Sequence, residues 1–431
     1  MNIGFYFGHM TGKHIDITNL ERGNPGIGGT EYQFMLLAYF LSKEKTDWQI
    51  YCLIENDMFT CEELNIVNIG NNNLLPVINN LKIDILILPK TRFQDLPKID
   101  FPQHLKLITK CDNYLDSINL RLIEKHKQIK ANVFVGKQFY DLYSDCNIIK
   151  KTMYIYNIIT DPCEQNIERQ INSKIVVYIG ALIKAKGFLE LAKIWKDILK
   201  EVPDAKLYVI GNGKLYDRDN ELGPLGVADK DFEEEFLPYI SNENGLLPNV
   251  KFLGLLGDEK YDIFSKASVG VANPSGRTET FCCTVPEMNC ATLPVTTINK
   301  YSFPDVIING QTGLLGKNNN EIKKYIIKLL CNEELNKRLG LNAKKFIEKF
   351  SPQKMVVQWI ELLEKVQNET FAPIYCPPSP PFNNCYKWVI IINRFLRFNC
   401  KLSFLPPIIS YQGLIKKIAG VMNSQKHVNK L

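Results

Sequence analysis

Asn273-Pro274-Ser275-Gly276-Arg277-Thr278-Glu279-Thr280-Phe281-Cys282-Cys283-Thr284-Val285-Pro286-Glu287 follows an apolar run at 269–272 and leads into a helical pattern. A buried strand that ends in a polar, glycine-bearing loop and re-enters a helix is the repeating unit of a parallel sheet covered by helices. The unit recurs on both sides. Upstream, 174–179 is a strand ending at Gly180 and 188–199 has helical periodicity. The strand at 205–210 closes on Gly211-Asn212-Gly213, and 250–253 continues the series. Downstream, 293–297 completes it.

An earlier series reads the same way. Residues 3–7 form an apolar run followed by Gly23-Asn24-Pro25-Gly26-Ile27-Gly28-Gly29, and a helix opens at Thr30-Glu31 with Phe34, Leu37, Ala38 and Leu41 at spacings of three and four. Segments 48–54, 83–88, 105–109 and 133–135 read as further buried strands. The expected class is therefore α/β, with two Rossmann-like domains facing across a cleft. Residues 1–170 form the first domain and 171–350 the second, with the join in the polar stretch 161–173. Residues 351–369 are expected as a helix carrying Trp359 that packs back toward the first domain. Residues 370–431 follow as a linker stiffened by Pro373, Pro377, Pro378, Pro380 and Pro381, then a basic amphipathic tail. Ligands of open parallel sheets sit beyond the carboxyl ends of the strands. Facing sheets would thus place the chemistry in loops 8–30, 110–116, 180–187, 211–216 and 273–287.

Composition narrows the function. Of 431 residues, 45% are hydrophobic and 23% charged, as in a globular protein, and no charge-free apolar run is long enough to span a bilayer. The first residues lack the basic and apolar segments of an export signal. Twelve cysteines form no CxxC pair and five histidines no HExxH group, so reduced thiols in a cytoplasm and no metal site are expected. The net charge of +6 is smaller than the eight Lys and Arg residues of 382–431, a stretch without any Asp or Glu. In that tail Trp388, Ile391, Ile392 and Phe395 share one helical face, and Lys387, Arg394 and Lys401 another. Two readings fit: a helix lying peripherally on an anionic membrane surface, on its inner face, or a helix docked on the first domain with its basic face in water. No recognised motif accompanies the charge, so nucleic acid is not an expected partner.

In the opening stretch Glu279 falls in the loop and Glu287 in the early turns of the helix. Carboxylates accept hydrogen bonds from sugar and ribose hydroxyls, and main-chain amides around Phe281, Cys282 and Cys283 at a helix start suit a diphosphate. Spacing alone also fits one Glu as a cap and the other on a solvated face.

Taken in order, these motifs resemble the retaining glycosyltransferases of the GT-B fold, family four (glycosyl transferases group 1). Glu279-Thr280-Phe281-Cys282 through Glu287 is similar to the family's Glu, aromatic, small residues and second Glu. Met288-Asn289-Cys290-Ala291-Thr292-Leu293-Pro294-Val295 is similar to its helix and next strand, and Asn309-Gly310-Gln311-Thr312-Gly313-Leu314-Leu315 to the hairpin after it. The resemblance implies that Glu287 binds the ribose and that Glu279 faces the donor sugar. In Gly180-Ala181-Leu182-Ile183-Lys184-Ala185-Lys186-Gly187 it implies Lys186 as a diphosphate ligand. Ala181 stands where the family has Arg, leaving that cation missing or supplied by Lys184. Gly28 and Gly29, with Thr30 as a cap, would face the diphosphate, and Gly211 resembles the loop after the next strand. Tyr156-Asn157-Ile158 looks like an Asn-Gly turn with Gly replaced. Lys110-Cys111-Asp112-Asn113 stands where relatives have His-Asp; Asp112 would orient the acceptor hydroxyl, or it is a turn or cap residue. Cys282 and Thr292 occupy positions that are usually Gly.

The implied reaction transfers a hexose-type sugar from a nucleoside-diphosphate sugar to a glycan or lipid-linked acceptor with retention of configuration. It would use no metal and no cofactor beyond the donor. Two alternatives stand: another GT-B enzyme such as a phosphorylase or sugar-nucleotide epimerase, or a non-catalytic sugar- or nucleotide-binding subunit, which Ala181 keeps open.

Overall fold

A computed structural model of the chain describes residues 1–8, 14–56, 59–70, 74–94, 96–163, 169–214, 221–379 and 385–411. Parts of the predicted loops at 9–13 and 215–216, and the tail lysines Lys416, Lys417, Lys426 and Lys430, lie outside the described residues.

Among the described residues, seven parallel strands build the first sheet: β1 (Asn2–Gly8), β2 (Gln49–Ile54), β3 (Ile66–Asn68), β4 (Ile85–Pro89), β5 (Lys106–Cys111), β6 (Ile129–Phe134) and β7 (Thr152–Tyr154). Their spatial order is β3-β2-β1-β4-β5-β6-β7. Six more build the second: β8 (Ile175–Ile179), β9 (Lys206–Ile210), β10 (Val250–Gly254), β11 (Val269–Val271), β12 (Val295–Ile298) and β13 (Gly313–Gly316), in the order β10-β9-β8-β11-β12-β13. Helices cover both faces, so central strands such as β4 are buried along their whole length and read as continuous apolar runs. In each sheet the order reverses beside the first strand, between β1 and β4 and between β8 and β11. Crevices open at such points.

Three features depart from the sequence reading. The strand at 293–297 does not complete the second sheet. Residues 309–315 are not a hairpin but a turn into β13, which runs parallel to β12. The chain between them passes through the Phe303–Val306 helix, and a crossover of that kind returns the strand in the same direction. Thr30 does not cap its helix either: the Gly29–Glu44 helix has Gly28 as its N-cap residue, and Thr30 already lies in the first turn. The edge strands β3 and β7, of three residues each, are too short for periodicity to reveal.

The last described segments lie on the first domain. Trp359, Leu362, Leu363 and Val366 of the Pro352–Gln367 helix share one apolar cluster with Phe34, Leu37 and Leu41 of the Gly29–Glu44 helix. Residues 370–379 then lead to the Cys385–Arg394 helix, which lies on the first domain as the docked reading expects, but without its basic face in water. The helix docks on the first domain with its cations inward. Lys387 Nζ lies 2.8 Å from Asp141 Oδ2 and donates to Gln138 Oε1 at 2.7 Å, and Arg397 donates to Asn147 Oδ1 at 3.0 Å. The physical reason lies in Asp141 and Asp145, both buried. Buried carboxylates must be paired. Lys137 and Lys387 serve Asp141, while the Asn393 amide and the Ile408 main-chain amide serve Asp145, each at 2.7 Å.

A third buried carboxyl sits between the domains. Asp305, on the Phe303–Val306 helix, accepts the Gln138 main-chain amide at 2.9 Å. Burial pushes its carboxyl up from 3.8 to about 7, only partly offset by that amide and by Lys349; Asp141 adds to the rise and Lys387 opposes it. Lys349, which donates to the Asp305 carbonyl oxygen at 2.8 Å, is pushed down to about 8 by the same burial. Between pH 3.8 and about pH 7 the folded chain therefore holds a proton that the unfolded chain has lost, and this group makes stability fall as pH rises. Asp305→Asn keeps an acceptor for Gln138 and cannot ionise. Thermal melts across that window should show the variant gaining on the parent by on the order of 1 kcal/mol per pH unit. A pH-independent difference would mean the carboxyl is ionised throughout.

Candidate active site

The reversal point of the second sheet brings two loops together backbone to backbone. Gly187 has φ +73°, and a Cβ there would lie 2.6 Å from the Ser275 amide nitrogen and 2.9 Å from Asn273 Oδ1. Only glycine fits both the conformation and the space. This approach lets Lys186 Nζ donate to Glu279 Oε1 at 2.7 Å. Asn273 Nδ2 donates to the same oxygen at 2.8 Å, its amide held by the Ser275 hydroxyl donating to Oδ1 at 2.7 Å. Glu279 is thus a buried carboxylate gripped by a lysine and an amide.

The loop that carries it is strained. Asn273 (φ 29°), Thr278 (φ 63°) and Cys282 (φ 58°) all lie in the left-handed region, as does Thr292 (φ 55°) after the Thr284–Cys290 helix. Cys282 and Thr292 are two of the positions where the resemblance implies glycine, and the backbone there has the conformation glycine favours. Such strain clusters where surrounding contacts over-determine the chain.

The first domain grips the same loop. Tyr114 donates to the Glu279 carbonyl at 3.0 Å, and Thr280 Oγ1 donates to the Asp112 carbonyl at 2.6 Å. Asp112 is buried, with Lys110 Nζ 2.5 Å from Oδ1 and Oδ2 without a partner among the described residues. Burial raises its carboxyl and Lys110 pulls it back. Lys110 also donates to Asn157 Oδ1 at 3.3 Å, and Asn157 Nδ2 reaches Cys283 Sγ at 3.6 Å. Lys110, Asp112, Asn157, Thr280 and Cys283 therefore form a continuous contact between the two domains beside Glu279.

Glu287 occupies a separate corner. It is buried, 3.4 Å from Lys260 Nζ, which donates to the Asn24 carbonyl of the first domain's glycine loop at 3.2 Å. Arg22 and Asp258 add a surface pair at 3.1 Å, so this loop leans on residues 258–260. Gly28 and Gly29 open the helix at its end, where the half-buried Glu31 carboxyl is raised by desolvation, with the charges of Asp112 and Arg92 acting on it. Gly211 (φ 126°) lies under Gly180, whose carbonyl a Cβ would meet at 2.0 Å. Its role is close packing of the β8 and β9 loops. The Phe281 ring is buried against Phe350 and Tyr156, with centroids at 5.0 and 5.9 Å, so any ligand contact from this residue comes from its main chain. Lys184 turns to the surface and pairs with Glu235 at 3.0 Å, so it does not replace the cation missing at the buried Ala181.

Tyr114 and Lys260 carry no sequence signal, and Lys110 and Asn273 stand in quoted motifs without a partner that spacing could assign; all four join the site through contacts across loops or domains.

The fold is that of two facing parallel-sheet α/β domains, the GT-B architecture. Residues 164–346 match the family described as glycosyl transferases group 1. The chain is 28% identical over 229 residues to an uncharacterised glycosyltransferase of Methanocaldococcus jannaschii, covering 52% of this chain and 56% of the relative. It is 29% identical over 203 residues to the capsular polysaccharide biosynthesis glycosyltransferase CapM of Staphylococcus aureus, covering 46% and 47%. The chain thus spans about half the length of these relatives. In fold it is similar to Anabaena HepE crystallised with UDP and glucose (TM-score 0.61, 16% identity, 85% of this chain and 100% of that one). The sucrose-phosphate synthase of Thermosynechococcus elongatus gives TM-score 0.61 at 15% identity, covering 85% and 99%.

Thr292→Gly should relieve left-handed strain at a β-branched residue and raise stability by about 1 kcal/mol in denaturant melts. Gly187→Ala should lower it and separate the two loops. An unchanged or lowered midpoint for Thr292→Gly would mean the threonine side chain holds that turn.

Proposed function

We propose that the protein transfers a hexose-type sugar from a nucleoside-diphosphate sugar to a hydroxyl of a glycan or lipid-linked glycan, with anomeric configuration retained. The observation that carries this reading is the meeting of Glu279 and Lys186 at the reversal point of the second sheet. A carboxylate there accepts donor-sugar hydroxyls and favours positive charge at the anomeric carbon; a lysine there favours the leaving diphosphate. Both groups act on charge as it develops, where fixed electrostatics are most effective. Among the described residues, the amides of Phe281, Cys282 and Cys283 have no acceptor and suit the diphosphate oxygens, with Gly28 and Gly29 opposite. Glu287 binds the ribose hydroxyls, exchanging its contact with Lys260. Asp112, through its unpartnered Oδ2, orients the acceptor hydroxyl. With no covalent nucleophile assigned, the acceptor oxygen enters on the face the diphosphate leaves. Solved neighbours that hold UDP and UDP-glucose, and a relative named for capsular polysaccharide synthesis, support the donor class and the polymer acceptor.

Ala181 favours one rival, a non-catalytic nucleotide-binding subunit, because the loop beside it keeps only Lys186 at the cleft.

The test is nucleoside-diphosphate release from a panel of sugar nucleotides with glycan and lipid acceptors, in the presence of EDTA, with product configuration read by NMR. Glu279→Gln is expected to lower kcat on the order of 100-fold to 1000-fold while donor binding, read by thermal shift, stays within a few-fold. Binding without release by the parent protein would establish the subunit reading. Inversion at the anomeric carbon, or loss of activity in EDTA, would overturn the mechanism.

A further inference from the structure

With the cations of the C-terminal helix turned onto the first domain, its apolar side meets water. Trp388 is 51% exposed, Ile392 58% and Phe395 57%, and Val389 is exposed beside them. Positions 388, 392 and 395 follow helical spacing, so they form one stripe. The inward side is fixed: Lys387 and Arg397 are buried on their polar partners, Ile390 is buried, and Arg394 stacks 3.6 Å from the Tyr375 ring centroid while donating to the Ser144 carbonyl. A helix held in this way presents its aromatic stripe without having to order it on binding. Apolar stripes of this kind on a protein surface mark a contact with something apolar.

We propose that this stripe docks the first domain in the plane of an anionic lipid bilayer. Charge selects that occupant. The 382–431 stretch has no acidic residue, and among the described residues its inward cations are held by Asp141 and its neighbours. Lys401 is exposed just beyond the helix, and the exposed Lys150 lies 5.8 Å from the Phe398 ring centroid. By sequence, Lys416, Lys417, Lys426 and Lys430 follow. Tryptophan and phenylalanine partition into the headgroup boundary, and lysines around them are drawn to anionic lipid. Among the described residues no helix is long and apolar enough to cross a membrane, which fits seating in the plane. The sequence suggested a basic face on the lipid; the structure gives that role to the aromatic face, with the cations at its rim. The inference does not rest on the sugar-transfer reading, because lipid binding is measured without any sugar nucleotide.

The test is co-sedimentation of the full chain with vesicles of phosphatidylcholine alone or with roughly one-third phosphatidylglycerol. The parent protein should bind the anionic vesicles and bind the neutral ones far less. Combined Trp388→Ser, Ile392→Ser and Phe395→Ser should cut the partition coefficient by about tenfold or more, with an unchanged melting midpoint, because these side chains are largely solvated already. Phe395→Ser alone should give a smaller loss, which keeps the test decisive if the triple variant folds poorly. The proposal is overturned if the parent does not bind, or if the variants bind as well as the parent. A dimer seen by sedimentation velocity and dissolved by the triple substitution would overturn it too, by assigning the stripe to a second copy.

Discussion

Lys186 and Glu279 come from loops 93 residues apart and meet at 2.7 Å in a largely buried site. Removing two charges from water costs several kcal/mol per ion, and the pair is tolerable only when its geometry and remaining hydrogen bonds are good. Much of the second domain's local structure serves that condition. Gly187 lets the 180–187 loop touch the 273–279 loop, Ser275 orients Asn273, and Asn273 completes the carboxylate. The left-handed residues Asn273 and Thr278 lie on the same loop, among these contacts.

The same loop joins the two domains. Thr280 and Tyr114 fasten it to the first domain on either side of Glu279, and the Lys110–Asp112 pair sits behind them. In the proposed reaction, a donor sugar beside Glu279 would meet groups from both domains at once. Glu287 lies at a second seam, where Lys260 connects it to the first domain's glycine loop. Glu279 and Glu287 are therefore both coupled to how the domains meet.

The C-terminal segment shows how burial sets polarity. Taken alone, its helix has a basic face suited to water and an aromatic face suited to a core. Asp141 and Asp145 reverse that, because unpaired buried carboxylates would cost more than exposing Trp388, Ile392 and Phe395. Sequence periodicity located the faces and could not orient them.

By itself the sequence determined the parallel α/β architecture, since strands buried on both faces must be continuous apolar runs separated by helical periods. It also located the loops at the strand ends, and with them Glu279, Glu287 and Lys186, because the strand-to-helix junction is a local pattern. Tertiary structure alone decided what those groups touch. Lys260 beside Glu287, Tyr114 on the Glu279 carbonyl and Lys110 linking Asp112 to Asn157 are contacts between distant segments, and no spacing along the chain encodes them. Lys184 shows the same limit: two residues from Lys186 in sequence, it turns outward to Glu235, because a single turn of backbone sends neighbouring side chains to different faces.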